Sequence, residues 1–89
     1  MANHKSALKR HRQSLVRRQR NRIMKTRVKN VVKAVDGALE TSAVDEARAA
    51  LHQAEKVIAK AAGRGTMHPK SASRKISRLT RKVNALAAS

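Results

Sequence analysis

Residues 17–39 read RRQRNRIMKTRVKNVVKAVDGAL, and the change of character inside this one stretch decides the fold. From Met24 onward, Met24, Val28, Val31, Val35 and Ala38 recur at spacings of four and three, with Val32 and Leu39 beside them. Apolar residues at that spacing share one face of an α-helix and mark a stripe that packs against partners. Residues 17–22 contain no apolar side chain at all. A single Gly (Gly37) and no Pro interrupts the chain between His4 and Leu39, so one helix is expected over about that span. At 1.5 Å per residue, roughly 35 residues reach about 50 Å, longer than a small bundle can cover. On a wheel of 100° per residue, Leu8, Leu15, Val16 and Ile23 fall on a different face from the later stripe, with basic residues around them. The front half therefore cannot share a core with the back half. It either projects as an arm or is disordered until a partner neutralises it.

A second helix is expected after Thr41-Ser42, with Ser42 as N-cap and Asp45 and Glu46 in the first turn, where negative charge suits the helix dipole. Val44, Ala47, Leu51, Ala54, Ile58 and Ala61 then follow the three/four pattern, and Gly63-Arg64-Gly65 ends the helix, with either Gly able to turn left-handed. A third helix opens at Pro69, a residue suited to a first turn, and carries the stripe Ala72, Ile76, Leu79, Val83 and Leu86. Three stripes with short connections predict an all-α fold, a three-helix antiparallel bundle with a long N-terminal helix extending beyond the core. The expected organisation is a single domain over 1–89, with residues 1–23 as a basic helical arm and 24–89 as the bundle.

The charge is segregated in the same way. The chain of 89 residues has 22 Lys and Arg against 5 Asp and Glu, a formal net charge of +17. Residues 1–33 hold 12 basic residues and no acid, whereas residues 34–63 contain every acid, namely Asp36, Glu40, Asp45, Glu46 and Glu55. From Arg64 onward there are seven basic residues and again no acid. A protein that is merely soluble intersperses its signs. Only 20 residues are Leu, Ile, Val or Met and none is aromatic, so the free protein is expected to be weakly stable and self-repelling.

Several function classes drop out. Cys is absent, which removes disulfides and thiolate metal sites. No apolar run is long enough for a signal peptide or a membrane span. The Arg-rich start imitates a mitochondrial transit peptide, but the same basic character returns at the far end, so an intracellular location is expected. Gly63-Arg64-Gly65 lacks the Lys-Ser or Lys-Thr of a phosphate loop and follows a helix. His4, His11, His52 and His68 include no i, i+4 pair that would place two metal ligands on one helical turn. Met24 reads as core and Met67 as a cover for the end of the bundle. No enzyme activity, cofactor, metal or small-molecule substrate is expected.

What remains is phosphate binding. With no acid nearby, the repulsion along helix 1 is relieved only by a polyanion, whose counterions are released on binding. A membrane surface would ask for Trp, Phe or Leu along one face, and helix 1 has too few. The candidate contacts in helix 1 are Arg12, Arg17, Arg18, Arg20, Arg22, Lys25 and Lys29. His4 is added for a polar contact to phosphate or ribose, and Lys70 for its place at the start of helix 3. Without aromatics there is no platform for stacking single-stranded bases. Basic residues on more than one side of helix 1 favour a crevice in compact, folded RNA over a DNA rod.

The opening Met1-Ala2-Asn3-His4-Lys5-Ser6-Ala7-Leu8-Lys9-Arg10 and the later Gly65-Thr66-Met67-His68-Pro69-Lys70-Ser71-Ala72-Ser73-Arg74-Lys75-Ile76-Ser77-Arg78-Leu79 are fairly specific together. They resemble the family of bacterial small-subunit ribosomal protein number twenty, and the resemblance covers essentially the whole chain. It implies a three-helix bundle that binds 16S ribosomal RNA directly, low in the body of the small subunit, with a role in assembly and RNA packing. Other small-subunit components would be reached through the RNA, and the implied location is the cytoplasmic ribosome. Carried onto this chain, the family pattern points to Asn3, Lys5, Ser6, Lys9 and Arg10, and to His68, Arg74, Lys75 and Arg78. Pro69 and Lys70 stand where Lys and Asn are usual, and Ser73 where Ala is usual; the Pro should stiffen the start of helix 3. Set against this are a nucleoid-type DNA-binding protein and a regulatory protein that uses its basic surface on acidic proteins.

Overall fold

The computed structural model describes the backbone of residues 2–89 and the side chains of residues 5–89, so the contacts expected of Asn3 and His4 lie outside the described side chains. Three helices follow in order: α1 over Ala2–Glu40, α2 over Val44–Gly63 and α3 over Pro69–Ala88. Among the described residues there is no strand. The fold is all-α, as the stripes require.

Two side-chain contacts show how the helices run. Thr66 Oγ1 donates to Asn21 Oδ1 at 3.1 Å, so the end of α2 lies beside the middle of α1. Lys82 Nζ lies 3.9 Å from an Asp36 carboxylate oxygen, which brings the end of α3 beside the end of α1. Hence α1 and α3 run in the same sense and α2 runs against both. The ion pair is half-exposed and marks this arrangement more than it stabilises it.

α2 is the shared partner. Its Ala47, Ala54, Ile58 and Ala61 are fully buried, and it packs along both α1 and α3, which meet each other only sparingly. Met24, Val28, Val35 and Ala38 close the core from α1, and Ala72, Leu79 and Val83 close it from α3. Five of the twelve buried residues are Ala, which lets the helices approach closely and keeps the molecule only 13 Å through its thinnest dimension. Val57, absent from the expected α2 stripe, is also buried; it sits beside Ile58 and widens that stripe. Ile76 packs against the core but is only partly buried, unlike Leu79.

Both turns use the same device. After α1, Ala43 N–H donates to Ala38 O at 3.1 Å and Ser42 N–H to Leu39 O at 3.2 Å, with Ser42 at φ +56°. After α2, Thr66 N–H donates to Ala61 O at 3.0 Å and Gly65 N–H to Ala62 O at 3.1 Å, with Gly65 at φ +77°. These are paired six-to-one and five-to-two bonds around a left-handed residue, the Schellman ending. The expectation that Ser42 caps α2 is therefore corrected. Ser42 is consumed in ending α1, and Ala43 stands at the N-cap of α2 with no side-chain hydrogen bond. Asp45 and Glu46 do occupy the first turn of α2. Of the two glycines, Gly65 makes the left-handed turn, and Gly63 is the last residue of α2.

The bundle ends where α2 ends. Among described side chains, every one before Asn21 is exposed, and Leu8, Leu15, Val16 and Ile23 are 58, 49, 47 and 55 % exposed. α1 nevertheless continues as an unbroken helix through this region. Its 39 residues span about 58 Å against about 30 Å for α2, so nearly half of α1 overhangs.

Candidate nucleic-acid interface

Every Lys and Arg side chain is exposed, and none is buried in an internal ion pair. This follows from the stripes: apolar positions go to the core, and the basic positions between them are left on the outside. Four of the five acids gather at the opposite end from the overhang, because Asp36 and Glu40 close α1 while Asp45 and Glu46 open α2; Glu55 lies in the middle of α2. The molecule is thus polarised along its 68 Å length, with an acid-free overhang at one end.

Helical spacing sorts the basic side chains into distinct surfaces. Arg18, Arg22, Lys25 and Lys29 recur at four, three and four residues, and together with Asn21 and Thr26 they line one shallow face of α1. That face covers about 16 Å of helix, room for more than one phosphate along a backbone. A second surface lies in the angle between the overhang and the end of the bundle. There Arg12, Arg17 and Arg20 from α1 meet Arg64 from the α2–α3 turn around a notch of about 1060 Å³. A third lies in the valley between α1 and α3, where Lys25, Lys29 and Lys33 face Lys75 across about 310 Å³.

The remaining expected residues are exposed but stand apart from these concavities. Lys5, Ser6, Lys9 and Arg10 lie toward the free end of α1. His68, Lys70, Arg74 and Arg78 lie on the front half of α3. His68 also has a local task, since its Nδ1 accepts from Lys70 N–H at 3.1 Å and so caps α3, with Pro69 at the first helical position. A neutral imidazole that accepts at Nδ1 carries its proton on Nε2, which leaves Nε2–H to donate outward.

Two residues escaped the sequence reading. Lys33 continues the four-residue spacing of Lys25 and Lys29, a signal present in the sequence. Arg64 reaches the notch only because α2 runs back along α1 and leaves its end, with Thr66, beside Asn21, which no local pattern reveals. Among the described residues there is no cluster of three or more metal-ligating side chains, and no helix is long and apolar enough to cross a membrane.

Comparison with known proteins places the chain in a family. The chain is 58 % identical over 87 residues to small ribosomal subunit protein bS20 of Nitratidesulfovibrio vulgaris strain DP4, covering 98 % of this chain and 100 % of that protein. It is 53 % identical over 87 residues to the protein of the same name from Desulfatibacillum aliphaticivorans, with 98 % and 99 % covered. It is 56 % identical over 88 residues to that of Desulfovibrio desulfuricans, with 99 % of each covered. The family described as ribosomal protein S20 matches residues 2–84. With nearly its whole length matched, the chain belongs to the ribosomal protein S20 family.

Proposed function

We propose that the protein is a non-enzymatic structural constituent of the small ribosomal subunit, that it works on the cytoplasmic ribosome, and that it binds 16S ribosomal RNA directly. The reading rests on the family and on one observation: the overhanging half of α1 is helical, basic and free of acid, with its apolar residues exposed. Such a helix has no reason to remain outside a core unless something else surrounds it. Phosphates on several sides supply that surrounding, and the released counterions drive the association. In this reading residues 1–23 are the arm and residues 24–89 the bundle that aims it. The arm, the Arg18–Lys29 face and the front of α3 contact sugar and phosphate and so read shape. By holding separate RNA segments against one rigid frame, the protein assists folding and assembly of the RNA.

The test is an affinity comparison of the full chain for 16S ribosomal RNA and for random-sequence B-form DNA at matched salt. A clear preference for the RNA supports the reading. Equal affinity overturns it in favour of a nucleoid-type DNA binder.

A further inference from the structure

The valley between α1 and α3 differs from the other two basic surfaces in having an apolar floor. Both helices pack on α2 and meet each other sparingly, and α2 places only the methyl of Ala61 beneath the gap. The chain has no aromatic residue with which to fill it. Val28, Val32 and Met67 form the sides, while Lys25, Lys29, Lys33 and Lys75 stand around the rim; no carboxylate lines it. Its 310 Å³ falls at the lower end of the range of about 300–1,000 Å³ typical of small-molecule sites.

We propose that this valley receives one unstacked nucleotide of the bound RNA, with its base on the aliphatic floor and its flanking phosphates held by the four lysines. The proposal rests on the RNA-binding reading above and adds a mode of recognition to it. A stacked duplex offers phosphates but no free base face, so it would leave the apolar floor in water. A lone phosphate would do the same. A nucleotide turned out of its stack carries both a flat face and a phosphate on either side, which matches an apolar floor inside a ring of positive charge. The only hydroxyl lining the valley, that of Thr66, donates to Asn21 and keeps only its capacity to accept. The apolar floor itself selects the unstacked state and not the identity of the base. Aliphatic side chains here take the place that aromatic platforms hold in single-strand binders.

The experiment uses the full chain with ¹³C-labelled Val and Met methyl groups. AMP should shift the Met67 and Val32 methyl signals saturably, and ribose 5-phosphate at the same concentration should leave them in place. Combining Lys29→Glu with Lys75→Glu should weaken AMP binding about tenfold or more, two reversed charges acting on one anion. Both side chains are exposed, and circular dichroism verifies that the doubly substituted chain still folds. In parallel, 8-azido-AMP should label the peptide carrying Met67, and saturating 16S ribosomal RNA should abolish the labelling. Equal shifts from ribose 5-phosphate overturn the proposal, because charge alone would then suffice. A response to dodecyl sulfate without one to AMP also overturns it and marks a site for amphiphiles. Labelling that persists while a filter assay shows the RNA bound overturns it and leaves the RNA-binding reading standing. Absence of RNA binding in that filter assay is a failure of the RNA-binding reading itself.

Discussion

Replacing Arg17, Arg18, Arg20 and Arg22 together with Gln should separate binding from folding. All four side chains are exposed, and none makes a side-chain hydrogen bond or ion pair. The one bond that touches this set, Thr26 Oγ1 to the Arg22 carbonyl at 3.0 Å, uses backbone and survives the change. Gln and Arg have similar helix propensity, so α1 should persist. Each phosphate contact removed lowers the slope of log affinity against log salt by about 0.7–0.9, so four contacts lower it by about 3–4. Between 50 and 200 mM salt, the altered protein should then lose about two orders of magnitude less affinity than the original. Filter binding to 16S ribosomal RNA across that salt range reads the slope, and circular dichroism reads the helix content. An unchanged slope accompanied by a melted bundle would refute the division of labour between arm and core.

The fold makes three further predictions, all readable by thermal denaturation. Ser42→Gly should stabilise the protein by about 1 kcal/mol, since Ser42 is held at φ +56°, whereas Gly65→Ala should cost about 1–2 kcal/mol because φ is +77° and nothing lies within 4 Å of an added Cβ to cause a clash. At this chain length each kcal/mol moves Tm by about 4–8 °C. Leu79→Ala, at a buried site, should cost about 2–5 kcal/mol, and Ile76→Ala, only partly buried, less than about 2 kcal/mol. His68→Ala should lose about 1 kcal/mol of capping, and His68→Ser should restore it; if Nε2–H also meets the RNA, the Ser variant regains stability but not affinity.

Most of the architecture was legible because apolar periodicity is a direct record of which face is buried. Met24, Val28, Val35 and Ala38 in α1 and Ala72, Leu79 and Val83 in α3 were read from spacing alone and are buried. That the front half shares no core with the back half followed from Leu8, Leu15, Val16 and Ile23 lying off that stripe; whether it projects as a helix stayed open in the sequence. What stayed hidden depends on residues meeting across the fold or on unusual turn chemistry. Ser42 looks like a helix start because Ser usually is one, and the left-handed ending it actually makes usually announces itself with Gly. Arg64 joins Arg12, Arg17 and Arg20 only through a turn whose direction is a tertiary fact. The valley beneath Lys75 arises from what α1 and α3 fail to fill, and an absence of packing leaves no pattern along one chain.

In the proposed function the basic overhang exists to be surrounded by the RNA of the small subunit. The decisive measurement is sedimentation of a native cell extract, with the protein quantified in each fraction. The protein should co-migrate stoichiometrically with small subunits, and the association should weaken as salt is raised. Migration with chromosomal DNA, or accumulation free in the soluble fraction, would contradict it.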